Sequence, residues 1–160
     1  TRMLIVFFME GWLVEFMKKT ISILVIEDNE YYSNLLSNAI QQSLNGILTR
    51  GKYQLVLRSF TNAAEYMKKI KAGDLSSNYD AVFIDYYLGD GLNAGHVIKV
   101  LKEHSCDAMV ILLSQSKSVK EKLHTIPHDY FVVKDEFAPA LCGLYLQQHI
   151  ENKYSVSLDR

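Results

Sequence analysis

Short apolar runs alternate with amphipathic stretches from residue 20 to about residue 154. The clearest runs are continuous and rich in β-branched residues or leucine, as expected for parallel strands that are covered on both faces. The predicted strands are residues 21–26, 53–60, 81–84, 108–114 and 129–134. This alternation predicts a doubly wound α/β fold, in which a five-stranded parallel sheet with right-handed crossovers carries helices on both faces in three layers.

Five amphipathic stretches supply the predicted helices. The first, Glu30 to Leu48, places its apolar residues at helical spacing. Asn62 and Glu65 form a capping-box pair at the start of the second, and Asp135 is placed to cap the last. The remaining predicted helices are residues 62–73, 94–104, 117–126 and 136–154.

The chain length of 160 residues fits one domain, which we assign to residues 17–154, followed by a short tail at residues 155–160. Residues 1–16 precede it as an upstream or cloning-derived extension; the alternative is a functional arm that packs on another chain. This extension is apolar, but Glu10 and Glu15 interrupt it and it is shorter than the ~20 residues of a membrane helix. No membrane association is expected.

The net charge bears on whether the chain binds nucleic acid, and the cysteines bear on the redox state of its compartment. The formal net charge of −1 gives no basic surplus that would attract nucleic acid. The two cysteines, Cys106 and Cys142, form no CxxC pair and are expected to be core thiols in a reducing compartment. We therefore expect a cytoplasmic protein that does not itself bind DNA or RNA.

Charged or polar residues lie at the carboxyl ends of four of the predicted strands. Glu27 and Asp28 follow the first, Asp85 the third, Ser114 ends the fourth, and Lys134 ends the fifth. Each alone could be a helix cap, a turn residue or a solvated charge. Because sites on parallel sheets form beyond the carboxyl ends of the strands, we expect these five residues to form one site.

The composition of this predicted site favours phosphoryl chemistry with a metal ion. Three clustered carboxylates repel one another unless a cation neutralises them, and Mg²⁺ prefers such oxygen ligands. A carboxylate beside the ion can attack phosphorus to give an aspartyl phosphate. An ammonium group balances charge on the transferred oxygens. Asp85 is therefore the predicted nucleophile, and Lys134 its charge partner.

Four motifs resemble the receiver domain of two-component response regulators, and they occur in order across residues 20 to about 152. They are ILVIEDNE at 23–30, AVFIDYYLGDG at 81–91, VILLS at 110–114 and DYFVVKD at 129–135. The resemblance implies the flavodoxin-like strand order 2-1-3-4-5. It also implies a signalling phosphoacceptor that catalyses only its own phosphorylation and dephosphorylation.

The resemblance also implies roles for particular residues. Glu27, Asp28, Asp85 and the backbone carbonyl of Tyr87 would bind Mg²⁺. Asp85 would receive a phosphoryl group from a sensor histidine kinase or a histidine phosphotransfer protein. Lys134 would contact the transferred group.

The implied response to phosphorylation is a rearrangement of Ser114 and Phe131. This would alter the surface formed by the predicted helix at 117–126, the strand at 129–134 and the helix at 136–154. That surface is the expected output face and the expected contact of a possible homodimer.

Three single residues depart from the usual pattern of the family, and Asn93 and Ala94 make the loop after Asp85 slightly longer than usual. Glu27 stands where aspartate is commoner, Gln115 stands where a small residue follows the switch serine, and Asp135 replaces a frequent proline. Gln115 is expected to crowd phosphoryl access or to alter dephosphorylation. None of the three removes an essential group.

Two alternatives place the same residues in other classes of protein. The first is a receiver-like module that binds partners without being phosphorylated. The second is a haloacid-dehalogenase-like phosphotransferase, whose nucleophile follows its first strand and has a second aspartate two residues later. Here Glu30 occupies that second position after Asp28, which disfavours the enzyme.

Two other kinds of site fit the sequence poorly. Gly89, Gly91 and Gly95 fit a dinucleotide fingerprint poorly, because the third glycine comes one residue too late. His124 and His128 have the spacing of a zinc site, but Pro127 breaks the helix between them.

Overall fold

The computed structural model describes residues 18–158, with side chains as far as residue 154. The extension at residues 1–16 and the last two residues of the tail lie outside this range. Five parallel strands form one sheet in the order β2-β1-β3-β4-β5, which confirms the predicted topology. The strands are β1 (Lys19–Ile26), β2 (Tyr53–Phe60), β3 (Ala81–Asp85), β4 (Met109–Ser114) and β5 (Tyr130–Val133).

Five helices connect or follow these strands. They are α1 (Glu30–Leu48), α2 (Ala63–Lys71), α3 (Ala94–Glu103), a 3₁₀ helix (Lys117–Thr125) and α4 (Ala138–Leu158). The last helix continues to Leu158, so it includes residues expected to form the tail. The helix begins at Ala138, two residues later than predicted, so Asp135 does not cap it directly: its side chain accepts a hydrogen bond from the backbone N–H of Phe137 in the turn that leads into α4. Among residues 18–158, no helix is long and apolar enough to cross a membrane.

The fourth helix is a 3₁₀ helix, whereas the sequence only predicted a short helix. It begins after Ser116, whose side chain accepts a hydrogen bond from the backbone N–H of Ser118. It ends with an N–H of Ile126 bonded to the carbonyl of Leu123, three residues earlier. Because a 3₁₀ helix rises about 2.0 Å per residue against about 1.5 Å in an α-helix, the same residues span a longer path between β4 and β5.

Apolar side chains cover the sheet on both faces. One cluster joins the sheet to α2, α3 and the 3₁₀ helix, and the other joins it to α1 and α4. Along β1, Leu24 faces the first cluster and Val25 faces the second. This two-sided burial explains why the central strands appear in the sequence as continuous apolar runs.

The strand register brings the carboxyl ends of β1, β3, β4 and β5 to one edge of the sheet. Three aligned pairs define that edge: Ile26 with Ile84, Asp85 with Leu113, and Ser114 with Val133. The backbone N–H of Lys134 also donates a hydrogen bond to the carbonyl of Ser114 at 2.9 Å. We call this the carboxyl edge.

A buried carboxylate, Asp80, organises the opposite edge. Its Oδ2 accepts a hydrogen bond from the backbone N–H of Ser22 at 2.8 Å, and its Oδ1 accepts one from the hydroxyl of Tyr154 at 2.8 Å. Lys153 forms an ion pair with the same Oδ1. Burial alone would raise the pKa of Asp80, but these hydrogen bonds outweigh burial and lower it. The network ties the end of α4 to β1 and β3.

Candidate functional site

Three acidic side chains meet at the carboxyl edge. Glu27 follows β1 and is almost completely buried, Asp28 is exposed, and Asp85 ends β3 with 8% of its surface exposed. One carboxylate oxygen from each lies within 4.8 Å of the others. The structure therefore brings together the three acids that the sequence singled out.

Lys134 joins this cluster from the end of β5. Its Nζ lies 2.7 Å from Oδ2 of Asp85 and also forms an ion pair with Oε2 of Glu27. Only 5% of the lysine side chain is exposed. One ammonium group is thus shared by two buried carboxylates, and the group of four side chains carries a net charge of −2 when all are ionised.

Burial of this cluster changes the pKa values of two of its carboxyl groups. Burial raises the pKa of Glu27 to about 7, although Lys134 opposes the shift. Burial also raises the pKa of Asp85, again against the influence of Lys134. Both carboxyl groups hold their protons more tightly than usual. The reason is that one lysine does not offset the cost of removing two ionised carboxylates from water. The site thus favours the arrival of an additional cation.

The first turn of α1 fixes the position of the acidic pair. Asn29 accepts a hydrogen bond from the backbone N–H of Tyr32 at 2.9 Å, which caps the helix. The backbone N–H of Asn29 donates to Oε1 of Glu27 at 3.1 Å. The helix cap therefore also orients the glutamate.

An open cleft of about 340 Å³ lies over the acids. Gln115 is exposed at its wall, in the position where the sequence predicted crowding. Tyr87 also lines the cleft, on the turn that follows β3. The lining residues are Glu27, Asp28, Asn29, Asp85, Tyr87, Gln115 and Lys134.

Neither of the two predicted switch residues lines this cleft. Ser114 is buried at the end of β4, where its Oγ accepts a hydrogen bond from the backbone N–H of Ser116 at 3.3 Å. Phe131 is partly buried on β5 and packs against the cluster that includes the 3₁₀ helix. The hydroxyl of Ser114 is therefore linked directly to the residue that caps the 3₁₀ helix.

Sequence reasoning did not assign a site role to Asn29 or Tyr32. The aromatic ring of Tyr32 lies beneath Lys134, with its centroid 4.6 Å from Nζ. The sequence did carry a signal for Asn29, because asparagine is a favourable N-cap residue. A cap at Asn29 would bring it close to Tyr32, the third residue of the helix. The contact with Lys134 is a long-range one that sequence spacing does not specify.

The donor set fits Mg²⁺. All three side chains offer oxygen ligands, their separation suits one ion, and their excess negative charge is not balanced by Lys134. An exposed Asp28 beside two buried acids leaves room on the solvent side for water and phosphate oxygens.

Neither a scan against protein-family models nor a search of curated proteins finds a match to this chain. A search of solved structures does find similar folds. The response regulator TrrA of Thermotoga maritima, in complex with Mg²⁺ and BeF, is 24% identical, with a TM-score of 0.56 over 82% of this chain and 97% of that one.

Two further structures match over a similar extent. A two-component response regulator from Cytophaga hutchinsonii is 22% identical, with a TM-score of 0.58 over 84% of this chain and 98% of that one. The phosphorylated cyanobacterial phytochrome response regulator RcpA is 17% identical, with a TM-score of 0.57 over 86% and 96%. The chain has the flavodoxin-like α/β fold of response-regulator receiver domains.

Proposed function

We propose that this chain is the phosphoacceptor receiver domain of a two-component response regulator. The observation that carries the proposal is the placement of Asp85, a buried carboxylate that shares Lys134 with a second acid and opens onto a cleft. A buried charge at the end of a strand is costly unless it is compensated. The cost is understandable if Asp85 is kept there for its reactivity.

The proposed reaction transfers a phosphoryl group from a phosphohistidine of a sensor kinase or of a phosphotransfer protein. A carboxylate oxygen of Asp85 forms the new bond to phosphorus while the bond from phosphorus to the histidine nitrogen breaks. The leaving imidazole keeps that electron pair and takes up a proton. Lys134 offsets the charge of the transferred oxygens. The protein is thus a signalling phosphoacceptor, and it turns over no separate substrate.

Mg²⁺ is the proposed cofactor, and it would be held by Glu27, Asp28, Asp85 and the backbone carbonyl of Tyr87. When bound, such an ion neutralises the phosphoryl oxygens and the clustered carboxylates. Asp28 is already exposed to the solvent from which the ion would enter. The raised pKa of Glu27 means that ion binding also displaces a proton near neutral pH.

The proposed output is a change in partner binding. A phosphoryl group on Asp85 would attract the hydroxyl of Ser114, whose movement would leave space for Phe131 to turn inward. The affected surface comprises the 3₁₀ helix, β5 and α4, on which Tyr130 is already partly exposed. We propose this face as the output surface and as the contact in any homodimer. The buried free thiols, Cys106 and Cys142, fit a cytoplasmic protein.

Beryllofluoride with Mg²⁺ mimics an aspartyl phosphate and tests the proposal. We expect amide resonances around Glu27, Asp85 and Lys134 to shift on its addition, and Asp85→Asn to abolish the shifts because the attacking charge is gone. Asp28→Ala should weaken the response to Mg²⁺ without unfolding the domain, because it removes one of three mutually repelling acids. A wild-type spectrum unchanged by beryllofluoride would favour the partner-binding module that is not phosphorylated.

A further inference from the structure

Among the described residues, three groups interact with the ammonium group of Lys134. Two are the carboxylates of Asp85 and Glu27, and the third is the aromatic ring of Tyr32 at 4.6 Å. The electron-rich face of an aromatic ring attracts a cation, and the attraction is strongest where water is excluded. Lys134 is only 5% exposed, so the ring occupies a side of the ammonium that water would otherwise solvate.

The position of the ring is set by the same turn that orients the acids. The N–H of Tyr32 bonds to the side chain of Asn29, and the N–H of Asn29 bonds to Glu27. The ring also packs against the apolar cluster between the sheet, α1 and α4. Tyr32 is thus held from two directions and can restrain a long, flexible lysine side chain.

The hydroxyl group of Tyr32 does not explain its presence. That oxygen is buried, and it has no hydrogen-bond partner among the described residues. Burial raises the pKa of Tyr32 well above its usual range, so the phenol stays neutral. The ring face is therefore the part of the side chain that acts on Lys134.

We propose that Tyr32 is a positioning residue for phosphoryl transfer to Asp85, acting through the ammonium group of Lys134. The inference rests on the proposed function. A third carboxylate in this place would also hold the lysine, but it would add negative charge and repel an incoming phosphoryl group. An aromatic ring attracts the ammonium without that repulsion. It leaves Lys134 free to pair with the transferred oxygens at Asp85.

The test compares Tyr32→Phe with Tyr32→Leu. The initial rate of Asp85 phosphorylation by acetyl phosphate and the affinity for beryllofluoride are measured, both with saturating Mg²⁺. Phenylalanine keeps the ring face, so both quantities should stay within about twofold of the wild type. Leucine removes the ring and should lower both by about tenfold. Tyr31→Leu is the matched control, because Tyr31 is 73% exposed on the same helix, and it should match the wild type.

A readout that needs no phosphoryl chemistry tests whether the ring contacts Lys134 in solution. The ring current of Tyr32 should shift the methylene proton resonances of Lys134, and these shifts should persist in Tyr32→Phe and vanish in Tyr32→Leu. Tyr32→Met replaces the leucine variant if melting shows that leucine unfolds the domain.

The outcomes that contradict the two proposals differ. Full phosphorylation and beryllofluoride affinity in a folded variant without the ring would overturn the role of Tyr32 alone, as would an equal loss in Tyr32→Phe. A wild type that takes up neither phosphate nor beryllofluoride would overturn the proposed function, and with it this role.

Discussion

Glu27 is a single residue whose ionised form is unfavourable in the folded protein. Its carboxyl group is buried beside Lys134 and Asp85, and burial raises its pKa to about 7 from an ordinary value of 4.5. Between those two pH values the folded state binds more protons than the unfolded state. The stabilising effect of this proton is therefore fully present below about pH 4.5 and is lost as pH rises through 7.

This proton linkage predicts an unusual pH dependence in the metal-free protein. Glu27→Gln should be more stable than the wild type at pH 8, by about 1–3 kcal/mol, and the difference should shrink toward pH 5. Urea unfolding in the presence of a chelator at several pH values measures it. Glu103→Gln, on the exposed part of α3, is the control and should follow the wild type. A difference between Glu27→Gln and wild type that does not change with pH would contradict the linkage.

The sequence made the charged site residues predictable for a simple reason. These residues lie at or just after the ends of strands, and the carboxyl ends of parallel strands must meet at one edge; they are Glu27, Asp28, Asp85 and Lys134. Tyr32 could not be assigned in the same way, because its contact with Lys134 depends on how α1 packs against the sheet.

The 3₁₀ helix is the element whose conformation the sequence specified least, because the sequence predicted a helix there but not its type. Val119 and Leu123 are its buried residues, and their spacing of four is typical of one face of an α-helix, whereas residues three apart align in a 3₁₀ helix. The choice between helix types depends on the path to β5 and on the end bonds at Ser116 and Ile126. Runs of 3₁₀ helix longer than 3–4 residues are uncommon.

The link from Ser114 to Ser116 predicts that the 3₁₀ helix senses phosphorylation. If, as proposed, the hydroxyl of Ser114 turns toward a phosphoryl group on Asp85, the N–H of Ser116 loses its acceptor. Amide shifts on beryllofluoride addition should therefore extend through residues 116–125 and β5. In Ser114→Ala the shifts should stay near Asp85 while beryllofluoride still binds.

Ser43→Ala serves as a control, because that hydroxyl bonds within α1. A full response of residues 116–125 in Ser114→Ala would show that the signal takes another route.

In the molecule as a whole, the Asp80 network and the proposed phosphoacceptor site lie at opposite edges of the sheet. Asp80 and Asp85 stand five residues apart along one extended segment, which separates them by roughly 17 Å. The general architecture followed from the alternation of apolar runs and amphipathic stretches. The position of the end of α4 did not follow from that alternation. It depends on contacts of Lys153 and Tyr154 with Asp80, which is distant in sequence.

Removal of the Asp80 carboxylate should therefore lower stability without affecting phosphorylation. Asp80→Ala leaves the N–H of Ser22 without its side-chain acceptor and should cost about 2–4 kcal/mol in the free energy of unfolding. Lys153→Ala should cost about 1 kcal/mol or less, because 44% of that side chain is exposed and the other bonds to Asp80 remain. Denaturant unfolding and acetyl phosphate labelling measure the two effects. A large loss of phosphorylation in folded Asp80→Ala would contradict the separation of the two edges.

The most direct measurement is to locate the phosphoryl group by mass spectrometry after treatment with acetyl phosphate and Mg²⁺. One added phosphoryl group should map to Asp85, and it should be absent from Asp85→Asn, whose circular-dichroism spectrum should match that of the wild type. A phosphoryl group mapped to Asp80 or Asp90, or one that persists in folded Asp85→Asn, would contradict the assignment of Asp85 as the phosphoacceptor.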